Sequence, residues 1–96
     1  MSNQTKTLNL LKQVKSNLFS SYPINTLALF GSISRQEDDE NSDVDILVEF
    51  NQPVGMEFIH LCYELEKLLE RKVDLVSRAG IKEKYYNEIR SELIYV

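Results

Sequence analysis

Two carboxylates, Asp43 and Asp45, stand two residues apart, and ten residues separate them from a Gly31-Ser32 pair that closes the apolar run 27–30. In a strand, residues i and i+2 share a face. A strand entered at Asp43 therefore projects both acids together, while Val44, Ile46 and Val48 turn to a core. Like charges held side by side repel, and strands disfavour Asp. A cation between them resolves the conflict. Mg2+ suits the place, because it takes oxygen ligands, commonly one or two carboxylates plus substrate phosphates. The Gly-Ser pair fits the same chemistry. Glycine allows a sharp turn and close backbone approach, and a short helix starting near Ser32 would point free N–H groups at a phosphate. One end of the stretch would hold phosphate and the other metal.

These groups need a frame. Leu8, Leu11, Val14 and Leu18 recur at three- and four-residue steps and predict a packing helix over 6–20. Ser21-Tyr22-Pro23 ends it, since the residue before proline avoids helical dihedrals. A strand follows over 25–30, its unbroken apolar run suited to burial on both faces. The segment 33–41 is charged, and its Asp38, Asp39 and Glu40 read as a solvated loop. The second strand runs over 43–50, until Asn51-Gln52-Pro53 breaks it. A helix over 56–71 carries Phe58, Ile59, Leu61, Cys62, Leu65, Leu68 and Leu69 on its apolar stripe. The third strand, 72–76, holds a mid-strand carboxylate, Asp74. A helical crossover between strands favours a parallel, right-handed connection. That would bring Asp74 toward Asp43 and Asp45; the alternative is a solvated acid on an edge strand. The chain closes with a helix from 81, striped by Ile81, Tyr85 and Ile89, and a short apolar tail over 93–96 that reads as a final strand.

Other residue patterns are weaker. Asp39, Asn41, Asp43 and Asp45 alternate as in a calcium loop, but Val44 and Phe50 stand where that loop needs Gly and Glu. His60 is the only histidine, which gives a histidine-based hydrolase or zinc site little support, and it reads as a surface residue. Cys62 lies on an apolar stripe and reads as core. Tyr85, Tyr86 and Tyr95 read as core or interface residues.

Composition agrees with one α/β domain spanning 1–96. Hydrophobic residues make up 43% and charged ones 27%, the balance of a globular protein. A net charge of -4 argues against an extended basic surface for nucleic acid. The single cysteine forms no internal disulfide and suits a reducing cytoplasm. No apolar run approaches the ~20 residues of a membrane span, and lysines 6, 12 and 15 interrupt what would be a signal-peptide core.

Gly31-Ser32, ten residues, then Asp43-x-Asp45 resembles the signature of the polymerase-β-type nucleotidyltransferases. At this length the chain looks most like the minimal nucleotidyltransferases, which pair with HEPN-domain proteins in prokaryotic toxin–antitoxin modules. The family often reads Gly-Ser-x-Ala-Arg-Gly; this chain keeps Arg35 and has Ser34 for Ala and Gln36 for Gly. The resemblance implies a polymerase-β-like core, a small mixed sheet with helices packed on one side. It implies transfer of AMP from ATP. Asp43 and Asp45 would ligate Mg2+, with two ions in such sites. Asp74, matching the third acidic position, would orient or deprotonate the acceptor hydroxyl and share the metal. Gly31 and Ser32 would hold phosphates, with Arg35 as a helper or a structural residue. The implied partner is a HEPN toxin, its tyrosine adenylylated and its RNase activity silenced, in a homo- or hetero-oligomer. Two alternatives stay open: a module that neutralises its partner by contact alone, and an adenylyltransferase acting on RNA or a small molecule.

Overall fold

The computed structural model describes residues 2–96. The elements run α1 (Asn3–Ser21), β1 (Ile24–Phe30), β2 (Val44–Phe50), α2 (Glu57–Leu69), β3 (Val73–Ser77) and α3 (Glu83–Ile89), then a 3-10 turn (Arg90–Glu92) and β4 (Ile94–Tyr95). The Ser2 hydroxyl caps α1 by accepting the Thr5 N–H at 3.1 Å. Tyr22, with extended dihedrals ahead of Pro23, ends the helix as expected. α2 ends at Leu69, short of the expected 71, because Glu70 turns left-handed with φ 53.

The sheet order is β3-β2-β1-β4. β1 pairs antiparallel with both β2 and β4, while β2 and β3 are parallel, joined through α2. The sheet is therefore mixed, as the crossover argument requires. Side chains alternate across it. Leu27 and Leu29 of β1, Val44, Ile46 and Val48 of β2, and Val73 and Leu75 of β3 pack with Leu11 and Leu18 of α1 and Leu61, Leu65 and Leu69 of α2. This face holds the main core. The two long helices share it, in keeping with helices on one side. On the opposite face, Phe30 and Leu47 meet Ile89 of α3, with Val76, Ile81, Tyr86 and Leu93 around them. The acids of β2 and β3 belong by alternation to this second, less covered face.

No regular helix follows Ser32. The segment after β1 is a series of turns in which Arg35 N–H donates to Gly31 C=O at 3.1 Å and Glu37 N–H donates to Ser32 C=O at 2.8 Å. Gln36 stops any propagation, because its φ of 57 is left-handed. It stands where the family pattern reads glycine, the residue that takes this conformation freely. Gln36 adopts it and reaches back to donate from its amide to Gln4 Oε1 at 3.0 Å.

Candidate active site

The parallel register of β2 and β3 sets Asp45 directly beside Asp74, and the antiparallel register sets Phe30 on the other flank of Asp45. Three strands thus carry one row, Phe30, Asp45, Asp74. Asp45 is partly buried and Asp74 exposed. The Asp45 carboxyl is pushed up to about 6: burial contributes most, then the charges of Asp74 and Asp43 and a hydrogen bond shared with Asp74, while Arg35 opposes the shift. Asp43 lies one residue before β2, exposed, and continues the alternation that points Asp45 to this face.

Gly31 closes the site from the side of β1. Its φ is 75, and a Cβ built there would lie 2.1 Å from Asp45 Oδ2. The Asp45 carboxylate occupies the space that any side chain at position 31 would need. Ser32 follows, half-buried. The Gly31 N–H donates to Glu92 Oε1 at 2.8 Å. Arg35 Nη1 donates to both Glu92 oxygens at 3.2 and 3.0 Å, and Arg35 Nε donates to Glu37 Oε1 at 3.0 Å. The Ser34 hydroxyl donates to the Glu92 carbonyl.

The loop that delivers Asp43 is held from below by Arg71. Its Nη1 pairs with Asp38 Oδ2 at 3.1 Å, and its Nη2 donates to the carbonyls of Asp39 at 2.9 Å and Ser42 at 2.7 Å. The Asp38 side chain is only 5% exposed, so it is no solvated loop residue, unlike the exposed Asp39 and Glu40. Asp39 instead shapes the turn: its Oδ1 accepts the Asn41 N–H at 2.8 Å, a bond that holds its carboxyl below the usual range. The Val44 N–H then donates to Lys72 C=O at 2.9 Å, starting the β2–β3 ladder beside Asp45 and Asp74.

Glu92 and Arg71 are neighbours without a role in the sequence reading, and Tyr85 reads there only as core or interface. Tyr85 meets the Phe30 ring edge-on, centroids 6.4 Å apart. Burial raises its phenol most, and the charges of Asp45, Asp74, Glu92 and Glu88 add to the shift. No sequence signal marks Glu92, because its contact with Gly31 spans most of the chain. Continuing the β1–β4 register would have flagged it as the residue facing Gly31. His60 is exposed, and Cys62 packs against the main core.

The donor set fits Mg2+. Among the described residues no three carboxylates are already gathered as a metal cage. Asp45 and Asp74 are nevertheless juxtaposed, their repulsion shows in the raised Asp45, and all the donors are hard oxygens.

A nucleotidyltransferase domain model matches residues 10–96. The chain belongs to the nucleotidyltransferase domain family. Within it, a candidate protein adenylyltransferase of Methanocaldococcus jannaschii is 41% identical over 99 residues, covering 95% of this chain and 99% of the relative. The protein adenylyltransferase MntA of Thermococcus cleftensis is 37% identical over 89 residues, covering 92% of this chain and 90% of the relative. Among solved structures, a candidate minimal nucleotidyltransferase superposes with a TM-score of 0.76 at 28% identity, covering 98% of this chain and 95% of that one. The MNT antitoxin complex with a tri-AMPylated HEPN toxin of Shewanella oneidensis shares the fold, with a TM-score of 0.63 at 21% identity over 97% of this chain and 67% of that one. No helix among the described residues is long and apolar enough to cross a membrane.

Proposed function

We propose that the protein transfers AMP from ATP to a tyrosine hydroxyl of a HEPN-domain toxin and so acts as its antitoxin. The observation that carries this reading is the Asp45–Asp74 pair in register across β2 and β3, with Asp45 seated over the bare α-carbon of Gly31. The adenylyltransferase names of the relatives support the donor, and the HEPN complex of the structural neighbour supports the acceptor.

Asp43, Asp45 and Asp74 would hold Mg2+, two ions in all, which when bound neutralises triphosphate charge and the charge developing on the leaving group. The chain's own residues do the rest. Ser32 and the turn after it contact the β- and γ-phosphates, and Arg35 adds a cation at their edge. Asp74, exposed on β3, is open to an incoming hydroxyl. It takes the proton as the tyrosine oxygen attacks the α-phosphorus and pyrophosphate leaves. The P–O bond to the β-phosphate breaks as the tyrosyl–phosphorus bond forms.

Incubation with α-labelled ATP, Mg2+ and a HEPN-domain partner tests the reading. Label on a partner tyrosine, lost in Asp43→Ala and Asp45→Ala, is the expected result. Neutralisation without any label would assign the protein to contact inhibition instead.

A further inference from the structure

We infer that Glu92 is a positioning residue of the nucleotide site: one carboxylate clasps the Gly31 turn and aims Arg35 at the bound triphosphate. The inference rests on the nucleotidyltransferase reading above and names a residue that the signature motif does not contain.

β4 pairs with β1 through Leu29–Ile94 and Ala28–Tyr95, and the same register continued places Glu92 opposite Gly31. A regular ladder would satisfy the Gly31 N–H with a backbone carbonyl. Here the 3-10 turn Arg90–Glu92 breaks the ladder, and the Glu92 side chain takes the N–H instead, at 2.8 Å. The substitution has a consequence that a carbonyl could not supply. The carboxylate also holds Arg35 Nη1 through both oxygens, at 3.2 and 3.0 Å. Arg35 Nε is taken by Glu37, and the guanidinium side chain stays 47% exposed, open to an incoming anion. Ser34, in the middle of the same turn, donates to the Glu92 carbonyl.

Gly31 is therefore fixed from two directions. Asp45 crowds its α-carbon, and Glu92 holds its N–H. The clasp ties the metal carboxylates, the phosphate turn and the guanidinium into one unit. At 20% side-chain exposure Glu92 is partly screened from solvent, which strengthens a charge-assisted bond. Charged hydrogen bonds to a preset turn act on the ground state and transition state alike. Their loss therefore weakens nucleotide binding more than turnover.

The test compares wild type, Glu92→Gln, Glu92→Ala, Arg35→Ala and the Glu92→Ala/Arg35→Ala double variant in AMP transfer and in ATP binding with Mg2+. Glu92→Gln keeps an acceptor for Gly31 and loses the ion pair. The expected result is a KM for ATP raised about tenfold in Glu92→Ala and less in Glu92→Gln, with kcat within about threefold of wild type. Arg35→Ala should add little to Glu92→Ala, because the two act as a unit. Amide exchange at Gly31, read by NMR, should lose protection in Glu92→Ala and retain it in Glu92→Gln, whether or not the preparation is active. An unchanged KM in a folded Glu92→Ala protein, or effects of the two Ala substitutions that simply multiply, would overturn the clasp while leaving the enzyme reading intact. A wild type that neither binds ATP nor transfers AMP would overturn both.

Discussion

Asp45 lies against the α-carbon of Gly31 so closely that a methyl group there would come within 2.1 Å of Oδ2. The strand-end glycine of the motif is thus required by a carboxylate fourteen residues on, as well as by its own φ of 75. Under the proposed function, this contact joins the residue that would hold metal to the turn that would hold phosphate.

Gly31→Ala should therefore cost more than a turn glycine normally does. A left-handed non-glycine residue costs about 1–2 kcal/mol, and overpacking typically costs about 1–3 kcal/mol more. Denaturant unfolding should show a loss of about 2–5 kcal/mol on those two grounds. Transfer should fall further than stability explains, since Asp45 must rotate away. A Gly31→Ala protein that unfolds at the wild-type midpoint would show that the contact relaxes freely.

The raised Asp45 carboxyl makes a pH prediction. Its folded value of about 6 lies above the ordinary 3.8 of an unfolded Asp, so the folded state binds the proton more tightly. Its contribution to stability is full below the unfolded value and is lost as pH rises from about 4 through about 6. Without metal, Asp45→Asn should flatten the fall in melting temperature over that window and be equally or more stable at pH 7.5. Added Mg2+ should raise the wild-type melting temperature and leave Asp45→Asn unmoved. Thermal melts across the window check both statements, and identical pH slopes for the two proteins would contradict the first.

Arg71 carries a structural load near the site. Removing one partner of a buried ion pair strands the other, at about 3–5 kcal/mol when fully buried. With side-chain exposures of 17% for Arg71 and 5% for Asp38, Arg71→Ala should cost somewhat less, about 2–3 kcal/mol. Asp38→Asn in the same chain should return part of it. Metal-dependent nucleotide binding should weaken too, because Asp43 rides on the loop that Arg71 holds through the Ser42 carbonyl. Chemical denaturation and nucleotide titration of the three variants measure these effects.

Much of this was legible in the chain. Leu8, Leu11, Val14 and Leu18 mark a helix by period, and Pro23 marks its end. A helix between two apolar runs implies a parallel pair, which is enough to set Asp74 beside Asp45. What escaped was contact at long sequence separation. Glu92 reaches Gly31 and Arg71 reaches Asp38 through tertiary pairing that no local pattern encodes. Tyr85 is striped like a core residue, yet it is 44% exposed and meets Phe30 only edge-on. The expected helix after Ser32 failed for a local reason: Gln36 turns left-handed and stops it within one turn.

The most direct test separates Asp45 from Asp74, neighbours in space from different strands. With α-labelled ATP, Mg2+ and a HEPN-domain partner, wild type should leave AMP on a partner tyrosine. Asp45→Ala should lose metal-dependent nucleotide binding and transfer together. Asp74→Ala should keep much of the binding and lose about 10²–10⁴-fold in transfer, the usual worth of a general base. An Asp74→Ala protein that labels the tyrosine at the wild-type rate would contradict the three-carboxylate site.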